Sequence, residues 1–189
     1  MKSIILVGTA RTGKSTLGRI IKDKYPNYNL IEGDSIYMGI YKVFKKEFNY
    51  KNYFFSQLNK DIMSNILLRF LKFDSVNGPF IYVGEQIFPK ELNDILPDRS
   101  KAHVFYLGHG DCEKETIFSN IREYDVDRDW TKNMDDVELM HNVEEIIKKD
   151  NIFKEECKKY NFEYIDTSNN RNSKFDEIIN QILTVNDLN

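Results

Sequence analysis

Five short apolar runs recur along the chain, each followed by glycine, a carboxylate or both. They span residues 4–7, 29–31, 80–83, 104–107 and 162–165. The first run is continuous and rich in β-branched residues, which is typical of a strand buried on both faces of a sheet. The pattern therefore predicts five short strands.

The segments between these runs have the spacing of helices. Helices are expected over 15–25, 53–73, 113–124 and 135–159, with a short one beginning near Pro89 and a final one towards the C-terminus. Residues 53–73 are the surest of these, because an apolar residue recurs there at every fourth position. Strands that alternate with helices predict a three-layer αβα fold with a five-stranded parallel sheet, in a single domain over 1–189.

A parallel sheet of this kind gathers its ligands at the carboxyl ends of its strands. The residues expected at those ends are the loop 8–16, Asp34, Glu85, His109 and Asp166. We therefore look for the functional site among them. His109 lies between two glycines, and we expect it to tolerate an unusual backbone conformation there.

Composition and charge exclude several classes of function. A net charge of −3 and an isoelectric point near 5.7 offer no electrostatic footprint for nucleic acid or for an anionic membrane. Cys112 and Cys157 match no zinc spacing, so we interpret both as reduced thiols in the cytosol. The apolar run at 4–7 is too short for a signal peptide or a membrane span. We expect a cytoplasmic protein without a nucleic-acid or membrane partner.

The most specific motif follows the first predicted strand. Residues 8–15 read GTARTGKS and match the pattern G-x4-G-K-[ST] in full. Glycine lets the backbone turn tightly and aim its N–H groups at phosphate oxygens, while Lys14 supplies a charge to the β- and γ-phosphates. The Ser15 hydroxyl can bind Mg²⁺, and the following helix adds the positive end of its dipole.

The predicted phosphate-binding residues are Gly8, Thr9, Ala10, Arg11, Thr12, Gly13, Lys14, Ser15 and Thr16. Arg11 is the unusual member, because the loop needs only its backbone at that position. Its side chain either faces solvent or places a cation near the transferred group. Thr16 either helps to anchor the phosphates or caps the helix.

Other classes of phosphate-loop protein lack support in this chain. A GTPase needs an N/T-K-x-D motif, and the stretch Asn59-Lys60-Asp61 places its aspartate one position too early. No D-x-x-G switch follows the third strand, and an LSGGQ signature is absent. Elimination favours a small kinase that uses ATP, although a preference for GTP stays open.

The chain resembles the P-loop small-molecule kinase group in three places: the loop, the stretch IEGD at 31–34 and the arginine pair in IREYDVDRDW. This group includes adenylate, shikimate, gluconate and adenylylsulfate kinases and chloramphenicol phosphotransferase. The resemblance implies that Asp34, with Glu32 as the alternative, binds the acceptor, acts as its base or helps to hold Mg²⁺. The alternative for Asp34 is a helix N-cap.

The resemblance also implies a short lid over residues 122–134, with Arg122 and Arg128 clamping phosphates. The alternative for both arginines is surface ion pairing. Glu85 could orient Mg²⁺ through water. Trp130 either covers a base or packs at the root of the lid, and packing is the expectation.

Residues 35–73 are expected to form a helical region that binds the acceptor, as the equivalent segment does in this group. They carry eight aromatic residues over 37–55, which either form a pocket for a flat ring or pack against the sheet. The sequence therefore predicts an ATP- and Mg²⁺-dependent phosphotransferase acting on a small-molecule acceptor such as a nucleoside, a nucleotide or another hydroxyl metabolite. The alternative is a nucleotide-binding regulatory protein with little or no hydrolysis. The oligomeric state stays open.

Overall fold

The computed structural model describes residues 1–44, 56–127 and 129–186, and of 74, 75 and 184–186 it describes only the backbone. Its centre is a sheet of five parallel strands in the order β2-β3-β1-β4-β5. The strands are β1 (Ser3–Gly8), β2 (Asn29–Glu32), β3 (Phe80–Gly84), β4 (Ala102–Gly108) and β5 (Glu163–Asp166). The predicted fold class is confirmed, and every strand lies within two residues of its predicted bounds.

Helices connect the strands on both faces of the sheet. They are α1 (Lys14–Lys24), α2 (Gly33–Phe44), α3 (Gln57–Asn77), α4 (Pro89–Ile95), α5 (Lys114–Tyr124), α6 (Asp136–Tyr160) and α7 (Arg171–Asn186). The helix α4 begins at Pro89 as predicted, because proline has a preset φ and lacks an N–H that a first helical residue cannot use.

The helix α3 differs from its prediction in its bounds. It begins at Gln57, where Ser56 caps it by accepting a bond from the Asn59 amide at 3.3 Å, and the predicted start at 53–55 lies outside the described residues. Its fully buried side chains include Met63 and Leu67, whereas Leu58 of the predicted stripe is 54% exposed. Ile62, Ile66 and Phe70 of the stripe are partly buried and pack against the same core as Met63 and Leu67. Leu58 lies off that face because a four-residue repeat drifts around a helix of 3.6 residues per turn.

The core consists of two layers separated by the sheet. On β1, Ile5 and Val7 pack with α3 and α4 on one face, while Ile4 and Leu6 pack with α1 and α7 on the other. A smaller apolar cluster joins α5 to α6. These layers fix the carboxyl ends of the strands, where the predicted site residues lie. Within the described ranges, no helix is both long enough and apolar enough to cross a membrane.

Candidate active site

The phosphate-loop motif occupies the turn between β1 and α1, at the carboxyl edge of the sheet. Two of its glycines have no room for a side chain. A Cβ on Gly8 would lie 1.9 Å from the Leu107 carbonyl oxygen of β4, and a Cβ on Gly13 would lie 2.7 Å from a ring carbon of Phe175. Gly13 also has φ 88°, a left-handed conformation that glycine adopts without strain. The motif therefore serves the close packing of the loop as well as its predicted role.

Lys14 is buried inside this loop. Its ammonium group donates to the Thr9 carbonyl and lies 3.5 Å from the Thr12 hydroxyl oxygen. Burial lowers the pKa of Lys14, while the carboxylates of Glu85 and Asp34 oppose that shift. The loop thus holds a desolvated cation close to carboxylates from the ends of β2 and β3.

Ser15 and Thr16 lie in the first turn of α1 and are exposed. Their position leaves both hydroxyl groups accessible at a helix N-terminus, where backbone N–H groups and the helix dipole favour an anion. The predicted contacts of residues 8–16 with phosphate stay predictions, and the geometry of the loop is compatible with them.

Asp34 lies in the first turn of α2, with its side chain held by a glutamine. The Gln86 amide donates to Asp34 Oδ1 at 2.6 Å, and Gln86 is itself buried just beyond the end of β3. Since α2 begins at Gly33, Asp34 belongs to the helix and is not its N-cap. The alternative residue, Glu32, instead bonds Arg19 at 3.2 Å on the surface. Of the two acids, Asp34 is the one whose charge acts on Lys14 and opposes the lowering of its pKa by burial.

Glu85 pairs with a buried lysine that the sequence did not single out. Lys149 of α6 donates to Glu85 Oε1 at 2.8 Å, and the two side chains are 5% and 17% exposed. Burial favours a raised pKa for Glu85, but the ammonium groups of Lys149 and Lys14 outweigh it and the pKa is lowered. Glu85 is therefore an anion at the carboxyl end of β3, between two lysines.

These oxygen donors fit the requirements of Mg²⁺ in a phosphate-loop protein. The ion usually keeps several waters and takes one or two protein ligands together with phosphate oxygens. Ser15 offers a hydroxyl in the first turn of α1, and Glu85 and Asp34 offer carboxylates whose charges act on the neighbouring Lys14. No group of three or more metal-binding side chains occurs within residues 1–44, 56–127 and 129–186, so an all-protein cage for a metal is not part of the described chain.

A buried aspartate behind the loop is the main site residue that sequence reasoning missed. Asp150 of α6 is 2% exposed and accepts three bonds: from the Thr9 hydroxyl at 3.0 Å, the His109 amide at 3.0 Å and the Tyr164 hydroxyl at 2.6 Å. It joins the loop to β4 and β5. No sequence signal distinguishes Asp150, because it lies among many charged residues of a polar helix.

His109 also binds the loop, and the expectation for it was wrong. The residue with a left-handed backbone is the neighbouring Gly110, with φ 62°, whereas His109 is not among the described residues of positive φ. Its ring Nε2 lies 2.9 Å from the Ala10 carbonyl oxygen, and the residue is 5% exposed. Burial lowers the pKa of His109, although the bond to Ala10 and the charge of Asp150 oppose the shift. A neutral ring that donates to Ala10 fits this environment.

Arg11 neither faces solvent nor points into the loop. It pairs with Asp125 and Asp129, each at 2.7 Å, and its side chain is 19% exposed. Both aspartates belong to the segment 125–135 between α5 and α6, here called the α5–α6 loop, which lies within the stretch predicted as a lid except for its last residue.

Arg122 binds the same α5–α6 loop. Its guanidinium donates to the carbonyl groups of Thr131 at 3.3 Å and Met134 at 2.8 Å, and it pairs with Asp136 at 2.8 Å. The second predicted clamp residue, Arg128, lies outside the described residues. The phosphate clamp stays a prediction for both arginines. Trp130, expected to pack at the lid root, is 53% exposed.

The aromatic residues of the predicted acceptor region are only partly described. Tyr37 is buried in the core, Tyr41 packs against it and Phe44 is 48% exposed. Those at 48, 50 and 53–55 lie outside the described residues. Packing accounts for Tyr37 and Tyr41. The prediction of an aromatic pocket therefore depends on the remaining aromatic residues.

Solved structures similar to this chain include shikimate kinases and a resistance protein. Shikimate kinase from Bacteroides thetaiotaomicron superposes with a TM-score of 0.61 at 15% identity, over 98% of both chains. The tunicamycin resistance protein of Deinococcus radiodurans gives 0.59 at 16%, over 96% of both chains. Shikimate kinase from Acinetobacter baumannii, solved with shikimate, gives 0.55 at 18%, over 97% of this chain and 94% of the other.

No protein-family model and no curated protein sequence matches the chain. Identities of 15–18% over nearly the whole length establish the architecture and leave the activity to be inferred from the site. The chain has the fold of the P-loop small-molecule kinases, the group that its loop resembles.

Proposed function

We propose that this protein is a phosphotransferase that moves the γ-phosphoryl group of ATP to a hydroxyl group of a small-molecule acceptor, with Mg²⁺. The observation that carries the proposal is the position of Lys14. It is buried in a phosphate loop, bonded to the Thr9 carbonyl, and the charges of two carboxylates that follow other strands, Glu85 and Asp34, act on it. A single acid at a strand end serves Mg²⁺ in phosphate-loop proteins generally, so the second carboxylate, Asp34 held by Gln86, is what favours an acceptor.

The proposed roles follow from the chemistry of each group. The backbone N–H groups of the loop and the Lys14 ammonium bind the β- and γ-phosphates. Ser15 and Glu85 hold Mg²⁺, Glu85 directly or through water, and the bound ion neutralises charge on the transferred group. Lys14 donates to a carbonyl of its own loop, so the ammonium is already aimed at the interior of the cradle.

Asp34 is the proposed partner of the acceptor hydroxyl. The bond from Gln86 uses Oδ1, which orients the carboxylate and leaves Oδ2 to accept the hydroxyl proton. A positioned general base typically contributes about 10²–10⁴-fold in rate. Asp34→Asn keeps the size of the side chain and should lower turnover by about that factor.

Arg122 and Arg128 are proposed to bind phosphate oxygens as the α5–α6 loop closes. A cation supplied to the transferred group contributes about 10³–10⁵ in rate in related chemistry. Losing either arginine should therefore cost at least as much as losing Asp34. For Arg122 this requires that its guanidinium leave the Thr131 and Met134 carbonyls, since it donates to both.

The acceptor is proposed only as a class. Two of the similar structures are kinases named for shikimate, and a third is named for resistance to tunicamycin. These compounds are chemically unlike one another, so the shared architecture supports a hydroxyl acceptor without selecting one. A cytoplasmic location and a single domain over 1–189 belong to the same proposal.

The test is a screen for ADP release. The purified protein is mixed with Mg·ATP and with nucleosides, nucleotides, sugars and antibiotics in turn. We expect at least one acceptor to raise ADP release above the rate with water, and Lys14→Ala to abolish that increase. Arg19→Ala, which changes an exposed cation of α1, is the matched control and should retain it. Tight Mg·ATP binding without any acceptor-dependent release would support the nucleotide-binding regulatory alternative.

A further inference from the structure

Arg11 connects the phosphate loop to the α5–α6 loop through two ion pairs. Its Nη2 lies 2.7 Å from Asp125 Oδ1, and its Nη1 lies 2.7 Å from Asp129 Oδ2. The Asp125 side chain is 1% exposed and the Asp129 side chain 22%. One planar guanidinium therefore spans two carboxylates of a segment more than 100 residues away along the chain.

Both aspartates are also tied into the α5–α6 loop itself. Asp125 Oδ1 accepts a bond from the Thr131 hydroxyl at 2.6 Å, and Asp129 Oδ2 accepts one from the Val126 amide at 3.0 Å. The loop therefore holds the two carboxylates in place for Arg11. A shift of Arg11 would be transmitted to the α5–α6 loop through groups that are already fixed.

The phosphate loop fixes Arg11 from the other side. Arg11 has φ 66°, a left-handed conformation that non-glycine residues seldom adopt, and its carbonyl accepts a bond from Arg171 of α7 at 3.3 Å. Such a conformation persists only where the surroundings maintain it. The Arg11 backbone is therefore bonded to α7, while its side chain pairs with the α5–α6 loop.

We propose that Arg11 is a positioning residue that couples occupation of the phosphate loop to the position of the α5–α6 loop. This rests on the proposed function, because the α5–α6 loop and the end of α5 carry the two arginines proposed to reach the phosphates. Arg11 itself does not bind phosphate through its side chain. Its guanidinium compensates two carboxylates that would otherwise repel an anion bound in the adjacent cradle.

Trypsin cleavage after Lys132, which lies in the α5–α6 loop, tests this coupling. Without nucleotide, Arg11→Ala and Asp129→Asn should each speed cleavage by about fivefold or more, the scale expected for groups coupled in one ion-pair network. The double variant should be cleaved no faster than the faster single variant, because both changes break the same contact. Asp129→Asn removes charge at a partly exposed site, which spares the fold. Arg19→Ala is the control and should leave cleavage unchanged.

The second measurement adds Mg·ATP to the same digestions. Mg·ATP should slow cleavage in the natural protein, should not slow it in Arg11→Ala and should slow it partly in Arg11→Lys. A lysine keeps the charge but lacks the fork that spans two carboxylates. Equal protection of the natural protein and Arg11→Ala would overturn the proposal. Unchanged cleavage of Arg11→Ala without nucleotide would also overturn it and would leave Arg11 as a phosphate ligand.

These digestions do not depend on an acceptor. If Mg·ATP protects the α5–α6 loop in the natural protein but not in Arg11→Ala, and no acceptor is ever phosphorylated, the kinase proposal fails and the coupling stands. If an acceptor is phosphorylated while Arg11→Ala is protected like the natural protein, the coupling fails and the kinase proposal stands.

Discussion

Replacing Asp150 with alanine should destabilise the protein more than any other single change of a charged residue behind the loop. The change removes a carboxylate that is 2% exposed and accepts bonds from Thr9, His109 and Tyr164. Each buried donor left without a partner costs about 1–3 kcal/mol. Three such donors give an expected loss of about 3–9 kcal/mol in the free energy of unfolding, a large part of the total for a domain of this size.

Asp150→Asn should cost much less, for a geometric reason. Its carbonyl oxygen can replace Oδ2, which accepts from both His109 and Tyr164. Its NH₂ group would then face the Thr9 hydroxyl, which can rotate and accept. The remaining cost is the loss of charge in these bonds, about 1–2 kcal/mol.

Urea unfolding followed by circular dichroism measures both variants. Asp111→Ala is the matched control, because the Asp111 side chain is 91% exposed and should change the free energy of unfolding by less than about 0.5 kcal/mol. If Asp150→Ala lowers the free energy of unfolding no more than the control does, the three bonds to Asp150 do not stabilise the protein as argued. Equal losses for the alanine and asparagine variants would lead to the same conclusion.

Three further changes test other parts of the site. Gly8→Ala places a Cβ 1.9 Å from the Leu107 carbonyl oxygen. It should therefore lower the melting temperature and abolish the thermal shift with Mg·ATP. A normal thermal shift would contradict the claim that the loop has no room for a side chain at Gly8. Burial lowers the pKa of His109, so the unfolded state binds a proton first as pH falls below about 6.5 and the natural protein loses stability there. His109→Gln should lose less between pH 7.5 and pH 5.5 in urea unfolding, and parallel losses would contradict this. Lys149→Met leaves Glu85 buried without its main partner and should cost about 3 kcal/mol in urea unfolding. Lys149→Arg keeps the charge and should cost less. Equal losses for the two variants would show that the Lys149–Glu85 ion pair does not stabilise the protein.

The fold could be predicted because its signals are local. Each strand is an apolar run, and turn residues or a first-turn proline such as Pro89 mark the helix boundaries. The repeat in α3 identified the helix and most of its packed side, since Ile62, Ile66 and Phe70 lie against the core. It did not single out the fully buried residues Met63 and Leu67, because a four-residue repeat drifts around the helix.

The residues of the candidate site also differ in whether a local sequence signal points to them. Lys14 and Ser15 could be assigned from a motif, because its spacing states what each position must do. Lys149 and Asp150 could not, since neighbouring residues on a charged helix look alike until the fold buries both of them. Arg11 lay within the motif, but its partners, Asp125 and Asp129, depend on how the α5–α6 loop folds.

The fate of the γ-phosphoryl group tests the central claim most directly. The protein is incubated with Mg²⁺, ATP labelled in the γ-phosphate and the acceptor that raises ADP release most. The kinase account predicts that the label appears on the acceptor in an amount equal to the ADP formed, and that Lys14→Ala forms neither product. Label recovered only as inorganic phosphate, or an ATP pool that is bound and never consumed, would contradict it.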